Sequence, residues 1–287
     1  MFATVYEARV NNASTAVAIK VLHEHWVEFE AVRDAFVEEA NRLMRCRHPH
    51  IVTAHGRLAT TDGVPAMSME LLSGQTLASR IGTQRRISPI TRSNALAILK
   101  QLAEAIDYLN RDLGVAHLDV RPANILLSAP TGKPFVKLGD LGLSRLVGSE
   151  SAHLGFNDYS APEVHHSPGR FGTRIQQRHG LARADTYSLA VLATEMLATF
   201  PLHGERDRDG PWVRHLPIRA EVVLSRGMSA VPADRQASAN DLIQDLSEAL
   251  ESERWPEKAA ASSVGFFAAM FAFHHLKSRR GSTKERP

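Results

Sequence analysis

The chain contains the stretch His117-Leu118-Asp119-Val120-Arg121-Pro122-Ala123-Asn124, and Asp140-Leu141-Gly142 follows after a short apolar run. A carboxylate such as that of Asp119 can accept a proton from a hydroxyl group. The amide of Asn124 and the carboxylate of Asp140 supply hard oxygen ligands, which Mg²⁺ prefers beside the phosphates of a nucleotide. The stretch therefore predicts a site that binds a metal ion and phosphate groups.

The composition is that of a soluble globular protein. The chain has 287 residues, of which 44% are hydrophobic and 23% are charged. These values argue against a disordered, collagen-like or coiled-coil protein. The net charge is only +3, so we expect no nucleic-acid partner. The single cysteine, Cys46, cannot form an internal disulfide, and the start of the chain lacks a signal-peptide pattern, so we expect a cytoplasmic location.

Upstream of residues 117–124, the sequence predicts a small sheet. Residues 4–9 and Ala16–Leu22 are short β-type runs joined by a polar turn, which indicates a hairpin. The second run includes Lys20, and a lysine on an apolar strand needs an anionic partner or an outward-facing position. Two adjacent acids, Glu38 and Glu39, lie on the helical stretch that follows. Only one of them can face the lysine, because neighbours on a helix point about 100° apart.

Downstream, the sequence is mainly helical. We expect one apolar helix from residues 88–89 to Gly114 and another that begins at Asp185. The basic segment at residues 165–179, between Glu163 and Asp185, is interpreted as a solvated surface loop, with recruitment of an acidic partner or substrate as the alternative.

Taken together, these motifs resemble those of protein kinases. The loop resembles H-R-D-x-x-x-x-N, Asp140-Leu141-Gly142 resembles D-F-G, Val17-Ala18-Ile19-Lys20 matches V-A-I-K, and Ala161-Pro162-Glu163 matches A-P-E. The resemblance implies an α+β fold with two lobes: a small β-rich N-lobe with an incomplete first strand, and a larger, mostly helical C-lobe. We expect the N-lobe at residues 1–72, the C-lobe at 73–255 and a hydrophobic and basic tail at 256–287.

The resemblance also implies a role for each motif residue. Asp119 would act as the base or orient the substrate hydroxyl, and Arg121 would stabilise charge on the transferred phosphoryl group. Lys20 would hold the phosphates of ATP and pair with Glu39, with Glu38 as the alternative. Asn124 and Asp140 would bind Mg²⁺. The nucleotide contacts implied in this way are Ala3, Val5, Ala18, Lys20, Met69, Glu70, Leu72, Asn124, Leu126 and Asp140. Arg235 matches the arginine that pairs with the A-P-E glutamate, Glu163.

Three departures from the family pattern stand out. The glycine-rich loop G-x-G-x-x-G-x-V would place Ala3 at its third small position and Val5 at the valine, so its first two glycines would precede Met1. Either the recorded start is too late or the first strand and half of the phosphate lid are missing. Leu118 replaces the arginine of H-R-D, and Leu141 replaces the phenylalanine of D-F-G.

The tail combines an apolar run with a basic end, so two interpretations stay open. Residues 259–273 are apolar and are followed by Lys277, Arg279 and Arg280. This run is shorter than the roughly 20 residues of a membrane helix, although extension to residue 276 brings it closer. Peripheral or single-pass membrane attachment through 259–276 is one expectation, and an interfacial or partner-binding helix is the other.

The sequence predicts a serine/threonine protein kinase that transfers the γ-phosphoryl group of ATP to hydroxyl groups of a protein substrate. A pseudokinase scaffold, which binds nucleotide or a partner without efficient transfer, is the alternative that the missing glycines and Leu118 support. A small-molecule kinase is a third hypothesis, which Ala161-Pro162-Glu163 and Arg235 disfavour.

Overall fold

The first half of the chain forms an antiparallel sheet of four strands in the order β1-β2-β4-β3. Because the first two runs are rich in β-branched and other apolar residues, both form strands, and they pair as an antiparallel hairpin. The computed structural model describes residues 2–9, 16–84, 90–128, 134–141, 157–166, 174–198 and 216–252. The four strands are β1 (Ala3–Arg9), β2 (Ala16–Leu22), β3 (Ala54–Ala59) and β4 (Pro65–Glu70).

Two helices follow the hairpin, α1 (Glu24–Val27) and α2 (Glu30–Arg45). In α2, buried residues recur every three or four positions, which is the pattern of a helix with one apolar face. That face packs against the sheet, and each large side chain buried there stabilises the fold by about 1.5–3 kcal/mol. Its buried residues are Val32, Ala35, Phe36, Glu39, Ala40 and Leu43. Glu39 is the one charged member of this face, so α2 carries a carboxylate towards the interior.

A second, smaller sheet joins the two halves of the chain. Its order is β5-β6-β7, formed by Gln75–Thr76, Ile125–Leu127 and Val136–Leu138. Gly74 lies where this sheet meets the first half: a Cβ atom there would lie 1.8 Å from the carbonyl oxygen of Leu127. Only a residue without a side chain allows the backbones to approach so closely. Helix α3 (Leu77–Gln84) begins immediately after β5.

Helix α4 (Arg92–Arg111) is the long buried helix of the second half. The predicted helix start at residues 88–89 lies outside the described residues, and the helix begins at Arg92, where the hydroxyl oxygen of Thr91 accepts a hydrogen bond from the backbone N–H of Asn94. The chain leaves the helix through Gly114, whose φ of 63° is left-handed. The loop at residues 117–124 follows shortly after, so the buried helix holds its start.

The remaining helices are α5 (Pro162–His166), α6 (Arg174–Ala198), α7 (Ile218–Gly227) and α8 (Ala239–Ser252). Two predictions here are wrong. Helix α6 begins at Arg174 instead of Asp185, and residues 174–179 are helical instead of part of a surface loop. Residues 174–184 contain no proline and mostly fair helix formers, so the apolar segment after Asp185 extends its helix backwards through them.

The architecture is α+β, with a small lobe built on the antiparallel sheet and a larger helical lobe. The residues of α4, α6 and α8 that line the interior of the larger lobe are almost fully buried. None of the helices in the described part of the chain is both long and apolar enough to cross a membrane. The predicted tail at 256–287, including 259–276, lies outside the described residues.

Candidate active site

Lys20 on β2 lies between two carboxylates that come from distant parts of the chain. Its Nζ atom donates hydrogen bonds to both carboxylate oxygens of Glu39, at 2.8 and 2.9 Å, and to Oδ1 of Asp140 at 3.0 Å. Burial lowers the pKa of the Lys20 ammonium, but the two carboxylates outweigh burial and raise its pKa above the ordinary value. Lys20 is therefore a fixed cation. Glu38, the alternative partner, lies 3.5 Å from Arg42 on the same helix.

Asp185 on α6 fixes the backbone of the loop at residues 117–124. Its two carboxylate oxygens accept hydrogen bonds of 2.7 Å from the backbone N–H groups of His117 and Leu118. Leu118 has a φ of 65°, in the left-handed region that an L-residue adopts at a cost on the order of 1 kcal/mol. Such a conformation persists because the surroundings impose it. Here the buried side chain of Leu118 and the two hydrogen bonds to Asp185 do so.

His117 is completely buried beneath the loop. Its Nδ1 atom accepts a hydrogen bond from the backbone N–H of Asp119 at 3.2 Å, so the ring proton is on Nε2, which donates to the carbonyl oxygen of Gly139 at 3.0 Å. Burial lowers the pKa of His117 to about 4. The imidazole is therefore a neutral structural link between the loop and the strand that leads to Asp140.

Asp119 is almost buried, and three side chains converge on its carboxylate. Nδ2 of Asn124 donates to Oδ2 at 2.6 Å, Nδ2 of Asn157 donates to Oδ1 at 2.8 Å, and Nε of Arg121 lies 3.2 Å from Oδ1. Burial raises the pKa of Asp119 to about 6, although the Arg121 charge and the two amides favour the ionised form. A carboxylate with a pKa near 6 is ionised at pH 7 and more basic than an exposed aspartate, as a base for a hydroxyl group requires.

Asn124 and Asp140 fit a magnesium site that a nucleotide would complete. The amide nitrogen of Asn124 donates to the backbone and side-chain oxygens of Asp119, so its Oδ1 atom is directed elsewhere and can bind a cation. Gly139 donates its N–H to the Asn124 carbonyl oxygen at 2.9 Å, which places Asp140 beside it. The described residues contain no cluster of three or more His, Cys, Asp or Glu side chains arranged for a metal. Mg²⁺ commonly uses one or two protein ligands together with phosphates and water.

The residues predicted to contact the nucleotide lie mainly around β2 and β4. Val5 faces Lys20 directly across the β1–β2 ladder, while Ala18 pairs with Met69. Ala3, the predicted third small position of the phosphate loop, pairs with Leu22 and is buried. Leu72 follows β4, and Leu126 lies in β6 of the second sheet.

Glu70, the last residue of β4, uses its side chain for a structural purpose. One carboxylate oxygen accepts from the backbone N–H of Thr53 and from Nζ of Lys137, both at 2.7 Å. The backbone N–H of Glu70 donates to the carbonyl oxygen of Thr53 at 3.0 Å. A nucleotide contact at Glu70 would therefore use its carbonyl group.

Glu163 and Arg235 form a buried, bidentate ion pair. The two N···O distances are 2.6 and 2.7 Å, and Arg235 is 1% exposed. The guanidinium also donates to the carbonyl oxygens of Arg183 and Ser229 and lies over the ring of Tyr187. Because loss of one partner would leave an uncompensated buried charge, the pair holds α5 firmly against the larger lobe.

Sequence reasoning did not single out Asn157. This residue belongs to a short turn at residues 157–160, just before Ala161-Pro162-Glu163. No motif or periodicity distinguishes it from other loop asparagines. Its relation to Asp119, 38 positions earlier in the chain, is visible only in three dimensions.

Lys20 is held by two acids, Glu39 and Asp140, and the buried carboxylate of Asp119 is held by the amide of Asn124. Together these groups form the site of a nucleotide-dependent phosphotransferase. A family model described as "Protein kinase domain" matches residues 1–264. The chain belongs to the protein kinase family.

Mycobacterial proteins are among its relatives. The chain is 32% identical over 266 residues to the serine/threonine-protein kinase PknH of Mycobacterium tuberculosis H37Rv, with 86% of this chain and 40% of PknH covered. It is 29% identical over 257 residues to PknE of the same strain, with 83% and 42% covered. The chain thus spans about two fifths of the length of these curated relatives.

The fold is also similar to a solved kinase structure. The crystal structure of the M. tuberculosis PknI kinase domain superposes with a TM-score of 0.65 at 26% identity, over 86% of this chain and 91% of that one. The predicted family and two-lobed fold are confirmed.

Proposed function

We propose that the chain is a protein serine/threonine kinase, which transfers the γ-phosphoryl group of ATP to a hydroxyl group of a protein. The observation that carries the proposal is the convergence of Lys20, Glu39 and Asp140 at one point, with Asp119 and Asn124 beside it. Protein kinase family membership and the named serine/threonine kinase relatives support it. The part of the chain that the structure describes adds nothing in favour of the pseudokinase alternative, whose support is the sequence departures at the glycine-rich loop and at Leu118. The buried Glu163–Arg235 pair argues against a small-molecule kinase.

Some of the site residues act on ATP, and others act on the substrate hydroxyl group and the transferred phosphoryl group. Lys20, held by Glu39, orients the phosphates of ATP, and its second contact, to Asp140, directs it towards the predicted metal ligands. Asp119 accepts the hydrogen bond of the substrate hydroxyl and takes its proton as the oxygen attacks the γ-phosphorus atom. The bond from that phosphorus to the β–γ bridging oxygen breaks, and ADP leaves. Arg121, beside Asp119, places a fixed positive charge near the transferred group.

Magnesium would be held by Oδ1 of Asn124 and the carboxylate of Asp140, and when bound it would neutralise charge on the phosphates. Lys20 already contacts one oxygen of Asp140, and the side chain of Asp140 is 45% exposed. That exposure supports access of a metal ion to the carboxylate. We also propose the lobe boundary near residue 72, because Gly74 and β5 begin the second sheet there.

The test is transfer of labelled phosphate from Mg-ATP to a generic basic protein and to the kinase itself. Two variants remove the proposed chemistry, D119N and K20M, and each should lower the rate by about 100-fold or more, because the base or the phosphate-holding cation is lost.

Matched controls come from the exposed surface of α4 and its end. D112N and K100M change the same residue types at exposed positions and should keep the wild-type rate. A wild-type chain that binds nucleotide but transfers no phosphate to these or to candidate substrates would overturn the proposal. Full activity of D119N would contradict the role of Asp119 as base.

A further inference from the structure

The 157–160 turn is tied to the catalytic carboxylate by one side chain. The Nδ2 atom of Asn157 donates a hydrogen bond of 2.8 Å to Oδ1 of Asp119. Asn124 donates to the other oxygen, Oδ2, at 2.6 Å. The carboxylate is therefore clamped between two amides, one from its own loop and one from a separate segment, and neither oxygen can turn away without losing a hydrogen bond.

The orientation of the Asn157 amide is determined by its neighbours. Its Oδ1 atom accepts from the backbone N–H of Tyr159 at 2.9 Å, so the nitrogen must be the atom that faces Asp119. The backbone of Asn157 is held as well: its N–H donates to Oγ of Ser160 at 3.1 Å, and its carbonyl oxygen accepts from the N–H of Ser160 at 2.9 Å. The donor is therefore already in place.

The turn itself rests on α6. The Tyr159 hydroxyl donates to the carboxylate of Glu195, and Oγ of Ser188 donates to the carbonyl oxygen of Tyr159 at 2.8 Å. The turn is followed by Ala161-Pro162-Glu163, in which Ala161 is buried and Glu163 forms the ion pair with Arg235. The turn thus connects the Asp119 carboxylate to the segment Ala161-Pro162-Glu163, which in the proposed kinase function would form the platform for the protein substrate.

We propose that Asn157 is a positioning residue that holds the Asp119 carboxylate in a fixed orientation relative to the substrate platform. The inference rests on the proposed kinase function. Because Oδ1 also has Arg121 beside it, a change at Asn157 frees the carboxylate to turn towards the guanidinium and away from the incoming hydroxyl group. A misplacement of about 1 Å at a reacting group can lower a rate by about 100-fold.

Two substitutions at this residue test the proposal. N157A removes the donor, and kcat for the protein substrate should fall by about 10- to 100-fold. N157D keeps the shape and the acceptor for the Tyr159 N–H but turns an oxygen towards Asp119, so kcat should fall at least as far. The KM for ATP should stay within about two-fold in both variants, because neither removes a proposed nucleotide contact.

S160A is the matched control for a purely structural effect. It removes the Oγ acceptor that holds the backbone of Asn157 but leaves the contact with Asp119, so its kcat should stay within about two-fold of wild type. Equal losses of kcat in S160A and N157A would show that only the folding of the turn matters, and would overturn the proposal. So would a wild-type kcat in N157D.

A measurement of thermal unfolding tests the contact without reference to activity. The variants D119A and N157A each remove the same hydrogen bond, so the loss of Tm in the double variant should be smaller than the sum of the single losses by about 2 °C or more. Additive losses would overturn the inference even if the wild-type chain proved inactive. An inactive wild-type chain with non-additive losses would instead refute the proposed function alone.

Discussion

At the scale of single residues, the catalytic loop places a neutral histidine next to a buried aspartate. Two side chains hold the backbone of this loop. His117 accepts a hydrogen bond from the N–H of Asp119 and donates one to the carbonyl oxygen of Gly139, and Asp185 accepts from the N–H groups of His117 and Leu118. Burial raises the pKa of Asp185 to about 7 in spite of these hydrogen bonds. The loop is therefore fixed by polar contacts that water does not reach.

The first prediction concerns His117 and the pH dependence of stability. Its pKa is about 4 in the folded chain and about 6.5 when unfolded. Between these values the unfolded chain binds more protons, so the free energy of unfolding should fall as the pH falls from about 6.5 to 4. The H117Q variant lacks the titrating ring, so its free energy of unfolding should fall less than that of the wild type over this range. The difference between the two should be on the order of 3 kcal/mol. Denaturant unfolding at several pH values measures the difference.

H55Q controls for the loss of a histidine, since His55 is exposed on β3, and it should follow the wild-type curve. Parallel curves for wild type and H117Q would contradict the burial of a neutral His117.

At the scale of secondary-structure elements, α4 supplies a cap for a helix far along the chain. The carboxylate of Asp107 accepts from the backbone N–H groups of Ala239 and Asn240, at 2.9 and 3.0 Å, and from the side-chain amide of Asn240 at 2.6 Å. The two backbone N–H groups belong to the first turn of α8, where the helix itself provides no acceptor for them. Ser238 caps the same turn through the N–H of Asp241.

The second prediction is that D107A destabilises the chain by roughly 2–3 kcal/mol, because it leaves buried backbone donors of α8 unsatisfied. The measurement is urea unfolding. D112A is the matched control: Asp112 is 43% exposed and pairs with its neighbour Arg111 at the surface, so its loss should change stability by no more than about 0.5 kcal/mol. Equal effects of the two changes would show that Asp107 does not cap α8.

Prediction from sequence was strongest for elements with a clear apolar period. A helical stretch was predicted at residues 35–45, and α2 contains it but begins earlier, at Glu30. The start of α6 was missed, because residues 174–184 carry no apolar period and their helix depends on the buried segment that follows. The start of α4 was predicted at residues 88–89, but the helix begins at Arg92 because Thr91 caps it.

At the scale of the whole molecule, the polar contacts that link the lobes include two ion pairs. One is the hydrogen bond of Lys20 to Asp140, across 120 positions of sequence. The other joins Glu70 at the end of β4 to Lys137 of β7, at 2.7 Å. Lys137 also donates to the carbonyl oxygen of Ile51 at 3.3 Å. The two lobes are therefore held together both at Asp140 and at the end of β4.

The third prediction is that K137M weakens both stability and nucleotide affinity. Glu70 is 24% exposed, so we expect a loss in unfolding free energy of only about 1–2 kcal/mol. Because the backbone at Glu70 and Leu72 is a proposed nucleotide contact, the Kd of ATP should rise by about 3- to 10-fold. Titration calorimetry measures it, with K100M as the control. An unchanged Kd together with a lower stability would limit the ion pair to a structural role.

By itself, the sequence determined the order and spacing of the catalytic loop, the hairpin that carries Lys20, and the family. These follow from local patterns, because Asp119 and Asn124 are only five positions apart and strand or helix periods are read over a few turns. The family resemblance favoured Glu39 over Glu38 as the partner of Lys20, but only the tertiary structure decided between them and showed that Asn157 reaches Asp119. Such contacts join residues that are far apart in the chain, so they depend on how helices and lobes pack, and no local pattern encodes them.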